Sequence, residues 1–336
     1  MAPLRAAVIG LGSMGANHVR VLADMADLVE LVAVADPDVE RLRQASRRSG
    51  ARPFRDAAEL LAAAQPDFVT ICTPTRTHAA IAELALRAGA HVLVEKPIAA
   101  TVEEAERLQR IAADARRLLT VGHIERFNPA VAALARRLRL GEGGRILQVH
   151  ARRVGPFPHR IRDVGVIHDL ATHDIDVVRF LLADDVERVY AEAQRHIATE
   201  HDDLFVGVLH FRSGPIALLE ANWLTPTKER SLRVLCERGM YAIDYLAQTL
   251  TFYENHAAAA REGQPASVTE GPMTRFPIAY REPLRAELEA FAVAVASGGP
   301  PPVPAADAIE ALRIADALNR SAAQTRPIEV APAPSP

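Results

Sequence analysis

Ala6-Ala-Val-Ile-Gly10-Leu-Gly12-Ser-Met-Gly15-Ala-Asn-His18 is the stretch on which the fold turns. The apolar run ending at Ile9 reads as a strand buried on both faces, and the residues from Ser13 onward open a helix. A second apolar run, Leu31 to Ala35, ends in Asp36, 21 residues beyond Gly15. Each part of this pattern has a physical duty. Gly10 permits a tight turn, Gly12 lets the backbone approach a pyrophosphate, and Gly15 lets helix and strand pack closely. The amides at Ser13 and Met14 open the helix and lie where an anion is received. Asp36 can accept hydrogen bonds from both ribose hydroxyls and repels a 2′-phosphate, which favours NAD over NADP. Asp36 has a second reading as a helix cap before Pro37. Three spaced glycines alone are a weak signal; strand, helix and acid in register make a dinucleotide site specific.

Outward from this stretch, strand and helix patterns alternate through residue 121. Apolar runs at Phe68–Ile71, His91–Val94 and Leu118–Val121 are separated by helix-period segments, including Ile81 to Ala88 and one opened by Thr101 and Glu104. Such alternation predicts an α/β Rossmann domain with a doubly wound parallel sheet over residues 1–122. Beyond it the pattern changes. Helices at Pro129–Leu138 and His168–Leu182 flank a strand at Arg145–Val154. Strands then follow one another at Val186–Ile197, Leu204–Phe211, Ile216–Thr225, Arg230–Glu237, Met240–Asp244 and Thr249–Tyr253. Helices are expected at Pro283–Ser297 and Ala305–Gln324. The order predicts an α+β domain over residues 123–330 with a mostly antiparallel open sheet, and a disordered tail at 331–336.

Composition narrows the function. A net charge of −3 gives no global attraction to nucleic acid or anionic membrane, and 49% apolar residues suffice for real cores. Neither a signal peptide nor a membrane-spanning run is read, so a cytoplasmic location is expected. Cys72 and Cys236 are too few and too far apart for a metal cluster or disulfide framework, and no metal is expected. Of 39 Lys plus Arg residues only two, Lys96 and Lys228, are lysine. In so arginine-rich a chain, a retained Lys suggests proton chemistry that Arg cannot perform, against the alternative of a solvated cation.

Chemistry-bearing residues fall at strand ends and on one helix. Thr73-Pro74-Thr75 and Glu95-Lys96-Pro97 each follow a parallel strand, where open α/β sheets place ligands. Asp169 and His173, at i and i+4, share a helix face that Asp176 continues. A His beside a carboxylate suits a general base, although such pairs are also common on solvated helices. His168 and His173 lack zinc-site spacing. Arg152, Arg153, His159, Arg160 and Arg162 concentrate cations just before this helix. They suit a diphosphate, or form a solvated arginine face. Lys228 is either a further ligand contact or a loop cation.

Four motifs in order resemble the Gfo/Idh/MocA oxidoreductases: the glycine fingerprint; Cys72-Thr-Pro-Thr with His78; Glu95-Lys96-Pro97; and Asp169-x-x-x-His173-x-x-Asp176. The resemblance implies NAD-dependent alcohol oxidation with Lys96, Asp169 and His173 catalytic. It places cofactor contacts at Gly10, Gly12, Ser13, Met14, Gly15, Asp36, Thr73, Pro74, Thr75, His78, Glu95 and Lys96. The stretches Val121 to Pro129 and Arg152 to Gly165 look most like members that oxidise UDP-N-acetylglucosamine at its 3-hydroxyl, with Arg126, Arg153, Arg160, Arg162 and Lys228 toward the substrate. Asp163-Val164-Gly165 stands where many sugar dehydrogenases have a glycine triplet, which points away from a free monosaccharide or inositol. The resemblance further implies a homodimer or homotetramer built on the C-terminal sheet, acting on a small molecule and on neither nucleic acid nor membrane.

Overall fold

The computed structural model describes residues 2–157, 165–197, 200–258 and 267–331. The first stretch alternates as its sequence pattern requires: β1 (Leu4–Ile9), α1 (Ser13–Ala23), β2 (Val29–Ala35), α2 (Val39–Ser49), β3 (Arg52–Phe54), α3 (Ala57–Ala64), β4 (Phe68–Ile71), α4 (His78–Arg87), β5 (His91–Glu95), α5 (Val102–Ala115) and β6 (Leu119–Gly122). These strands form one parallel sheet in the order β3-β2-β1-β4-β5-β6. The order reverses between β1 and β4, and open sheets of this kind bind ligands at that point. Every residue of β4 is buried, which explains its unbroken apolar run. β3 was not legible in the sequence, because Arg52-Pro53-Phe54 is too short and too exposed to show a period.

The second stretch contains α6 (Pro129–Arg139) and β7 (Ile146–Pro156). A π-helical turn at Ile167–Ala171 then leads into α7 (Thr172–Leu182). Strands follow: β8 (Val186–Gln194), β9 (Leu204–Phe211), β10 (Ile216–Asn222), β11 (Leu224–Cys236), β12 (Gly239–Asp244), β13 (Thr249–Ala258) and β14 (Ser267–Phe276). The chain closes with α8 (Pro283–Ser297), α9 (Ala305–Gln324) and β15 (Ile328–Glu329). Nine strands make a sheet in the order β14-β13-β12-β11-β7-β10-β9-β8-β15. β7 and β10 run parallel and every other pair is antiparallel. β14 and β15 add to the strands expected from sequence. The break between β10 and β11 falls earlier than the apolar pattern suggested, because Asn222 Oδ1 accepts from the Leu224 and Thr225 amides and the Thr225 hydroxyl. Lys228 therefore lies inside β11 rather than in a loop, with its side chain exposed.

Two compact units result, Met1–Ile124 with Glu282–Leu312, and Glu125–Arg281 with Arg313–Pro336. The segment Glu282–Leu312 lies in the same unit as the parallel sheet. Leu284, Leu288, Phe291 and Ala292 of α8 join the core formed by Val19, Leu22, Leu31 and Phe68. The Phe291 ring packs edge-on against Phe68 at 5.2 Å. Thr120 Oγ1 of β6 accepts from the Val303 amide and donates to the Val303 carbonyl, anchoring the same returning segment. Of the tail, residues 332–336 lie outside the described residues.

Candidate functional site

The carboxyl ends of β1, β2, β4 and β5 carry the candidate cofactor residues of the first unit. Gly10 has φ of +89°, and a Cβ there would sit 2.7 Å from the Cys72 carbonyl carbon and the Thr73 amide. A side chain is therefore excluded by conformation and by space. A Cβ on Gly15 would lie 1.8 Å from the Gly10 carbonyl oxygen, so α1 can start against the turn only because that position is glycine. At Gly12 nothing lies within 4 Å, leaving the backbone open to an approaching anion. α1 has no acid in its first turn and no side-chain cap, so its leading amides are not satisfied by a local acceptor. Asp36 is buried, accepting from the Leu11 amide at 2.6 Å and the Asp38 amide at 2.8 Å. It thereby ties β2 to the glycine turn. The helix cap of α2 is Asp38, whose Oδ1 accepts from Glu40 and Arg41.

Other expected cofactor contacts divide. Thr73 and Thr75 are half-buried and Pro74 is exposed, in a loop where Thr77 Oγ1 lies 2.9 Å from Thr73 Oγ1. His78 is buried, its Nδ1 2.8 Å from the Pro97 carbonyl oxygen and its Nε2 2.8 Å from that of Thr73. It braces the loops after β4 and β5 from behind. Burial lowers its pKa, partly offset by those two carbonyls. Glu95 also turns inward: its Oε1 lies 2.9 Å from His18 Nε2, and its carboxyl would touch a Cβ on Gly122 at 3.0 Å. Lys96 is half-buried and joined to Pro97 by a cis peptide.

In the second unit, candidate residues lie on the π turn and α7. The Thr172 amide donates to the Ile167 carbonyl, five residues back, so Asp169 sits in a widened turn. Such turns recur at functional sites. Asp169 and His173 are both half-buried, while Leu170, Ala171, Thr172 and Asp174 between and beside them are buried. Asp176, expected to continue the Asp169–His173 stripe, is buried and bidentate to Arg126, Nε to Oδ2 at 2.8 Å and NH2 to Oδ1 at 2.6 Å. His168, adjacent in sequence, accepts from Asn319 at Nδ1 and contacts Asp316 through Nε2.

The arginines expected to meet substrate have other partners. Arg153, buried on β7, donates to both Asp174 oxygens at 2.9 Å and to Glu125 at 2.9 Å. Burial works against its charge, but Asp174 and Glu125 more than compensate and hold its pKa well above the usual value. Arg126 is paired with Asp176, and its guanidinium lies 5.0 Å from the Phe180 ring centroid. Arg152 pairs with Glu220 and Glu229. A fork-shaped cation facing a carboxylate in the interior is held in place by that pair. Arg153 and Arg126 thus each hold a buried carboxylate of the same unit. His159, Arg160 and Arg162 lie outside the described residues, as do Asp163 and Val164.

Sequence reasoning missed Glu125, Asp174, His18 and Arg230. Arg230 lies opposite Arg153 in the β11–β7 ladder and donates through one nitrogen to the Val154 and Glu229 carbonyls. Burial first, and the neighbouring Arg153 charge second, pull its pKa down to about 10, against Asp174, Glu125 and Asp169. Its only sequence signal was proximity to Lys228.

With this geometry in place, comparisons with known proteins are decisive for the family. Residues 4–123 match the oxidoreductase family with an NAD-binding Rossmann fold, and residues 131–242 match the GFO/IDH/MocA C-terminal domain. The chain belongs to the GFO/IDH/MocA family. It is 32% identical over 300 residues to a UDP-N-acetylglucosamine 3-dehydrogenase of Acidithiobacillus ferrooxidans, covering 89% of this chain and 91% of that protein. It is likewise 32% identical over 339 residues to inositol 2-dehydrogenase 2 of Saccharopolyspora erythraea, covering 98% and 96%. The solved structure of the Acidithiobacillus enzyme superposes with a TM-score of 0.84 at 30% identity, covering 96% of this chain and 98% of that one. This GFO/IDH/MocA oxidoreductase therefore takes NAD on its Rossmann domain, where the open Gly12, the unfilled start of α1 and the buried Asp36 fit the pyrophosphate and ribose. Among the described residues no helix is long and apolar enough to cross a membrane.

Proposed function

We propose that the protein oxidises the 3-hydroxyl of UDP-N-acetylglucosamine to the 3-keto sugar nucleotide, with NAD as oxidant. The observation that carries this reading is the near full-length likeness to the Acidithiobacillus enzyme. NAD, when bound, supplies the hydride acceptor. Lys96 donates a hydrogen bond to the reacting oxygen and stabilises the alkoxide that develops there. His173 takes the hydroxyl proton, and Asp169, one turn earlier on the same face, orients the imidazole or the substrate. Retention of all three groups supports an enzyme over a non-catalytic NAD-binding regulator, which needs no proton-transfer residues. The charge that remains for a diphosphate is that of exposed Lys228, half-buried Arg230 and the segment of Arg160 and Arg162. A homodimer or homotetramer built on the open sheet is part of the proposal.

A second reading, oxidation of a polyol such as inositol, is favoured by two observations. The identity to inositol 2-dehydrogenase 2 is equally high over a longer span, and Arg126, Arg152 and Arg153 are neutralised by carboxylates rather than held for phosphate. The test is NADH formation with UDP-N-acetylglucosamine, UDP-N-acetylglucosaminuronate, free N-acetylglucosamine and myo-inositol at equal concentration. Fastest turnover of UDP-N-acetylglucosamine is expected; faster turnover of inositol or the free sugar removes the sugar-nucleotide reading and leaves the fold and cofactor intact.

A further inference from the structure

His18 is completely buried on α1, one turn past the last glycine of the fingerprint, and nothing in the reaction above uses it. Its Nε2 lies 2.9 Å from Glu95 Oε1, so across a span of 77 residues the helix that opens the dinucleotide turn grips the residue directly before Lys96. Strand parity accounts for the meeting. Side chains alternate along β5, so Glu95 shares a face with Leu93, and Leu93 packs in the core with Val19 and Leu22 of α1. One helical turn separates His18 from Leu22, which brings the imidazole over the end of the strand.

The pair is electrostatically committed. Burial alone raises the Glu95 pKa, but the hydrogen bond and charge of His18, then the charges of Lys96 and His78, outweigh it and hold the group below its usual range. Glu95 is therefore ionised, and His18 Nε2 is the donor. Cys72 stands against the same carboxylate, and burial with the Glu95 charge keeps its thiol protonated. His18, Cys72 and Glu95 offer ligand atoms within 4.8 Å of one another. However, His18 Nε2 and Glu95 Oε1 are engaged with each other and the thiol holds its proton, which is the chemistry of a clamp rather than of a cation site. Glycine at 122 is what leaves room for the carboxyl, since a Cβ there would press it at 3.0 Å.

We propose that His18 and Glu95 are positioning residues that fix the exit direction of Lys96 from β5, and so couple the seating of the dinucleotide turn to the aim of the ammonium. The inference rests on the catalytic reading of Lys96. Lys96 and Lys228 are the only lysines in the chain, so reductive ¹³C-methylation gives two dimethyl-lysine NMR signals, one reporting the site and the other serving as an internal control. His18→Leu is expected to displace the Lys96 signal, leave that of Lys228 in place, and lower turnover at least about tenfold with NAD affinity changed less than about threefold. His18→Gln, whose amide nitrogen reaches the imidazole Nε2 position, should restore both signal and turnover. Turnover is read with whichever of UDP-N-acetylglucosamine and myo-inositol reduces NAD. Should His18→Leu not fold, Glu95→Gln keeps the side chain's shape, and the same displacement and loss are expected. An unmoved Lys96 signal in either variant, or equal behaviour of the Gln and Leu variants at position 18, overturns the inference. Normal turnover in Lys96→Ala overturns instead the reading on which it rests, and the NMR coupling remains readable without any substrate.

Discussion

Replacing Arg153 by methionine separates the two duties this residue has been assigned, substrate contact and internal strut. The guanidinium satisfies both Asp174 oxygens and one Glu125 oxygen, and the side chains of Arg153 and Asp174 are 5% and 3% exposed. Methionine fills similar length without charge and leaves two carboxylates facing a desolvated gap. Asp174 has little access to water; Glu125, at 17%, has more. Breaking a buried pair in this way costs about 3–5 kcal/mol. For a unit of this size that corresponds to a loss on the order of 10 °C in melting temperature. The cost should shrink as pH falls, because burial already raises the Asp174 pKa and protonation removes the uncompensated charge. Adding Asp174→Leu should recover most of the loss, with a coupling of about 2 kcal/mol or more in the double-mutant cycle. The assay is thermal unfolding at two pH values with substrate KM measured in parallel. A variant that melts within about 2 °C of the unaltered protein while KM rises tenfold or more would refute the strut and restore Arg153 to the substrate.

Three further outcomes are expected. Lys96→Arg keeps the charge but puts a bulkier, planar guanidinium where the ammonium meets the reacting oxygen, so turnover should fall roughly 10²-fold with NAD affinity little changed, and His173→Ala should cost a similar factor; near-normal rates in a folded variant would remove either role. Asp36→Ser should weaken NAD binding and narrow the preference over NADP. Because Asp36 also accepts from the Leu11 amide, proteolysis at the glycine turn should increase as well; an unaltered protein that already prefers NADP in titrations would void the assignment. His78 and His91 have pKa values lowered by burial from 6.5. The folded state thus binds fewer protons, and their contribution is full above the unfolded value and lost as pH falls through the lower folded value. The urea midpoint should therefore decline below about pH 6.5, and His78→Gln should flatten that decline; a flat profile in the unaltered protein contradicts it.

The sequence alone determined those features whose physics is local. The strand, the glycine spacing and Asp36 are fixed by backbone conformation and by one turn of helix, so the Rossmann half, its cofactor and the family could be read directly. The limits of α8 and α9 were equally legible, since Pro283 opens α8 at its first turn and Gly298 closes it in the left-handed region. The helix carrying His173 was legible from its spacing, although the π turn beneath Asp169 was not. Partnership was decided only in three dimensions. An arginine reads the same in sequence whether a phosphate or a buried carboxylate faces it, and only the β7–α7 packing revealed that Asp174 claims Arg153. The amphipathic α8 could have covered either sheet; Phe68 and its neighbours supply the surface it fits. The sequence expects Glu95 at the cofactor because it precedes Lys96. Only the structure shows its carboxyl against His18, a contact between residues 77 positions apart that no local pattern encodes.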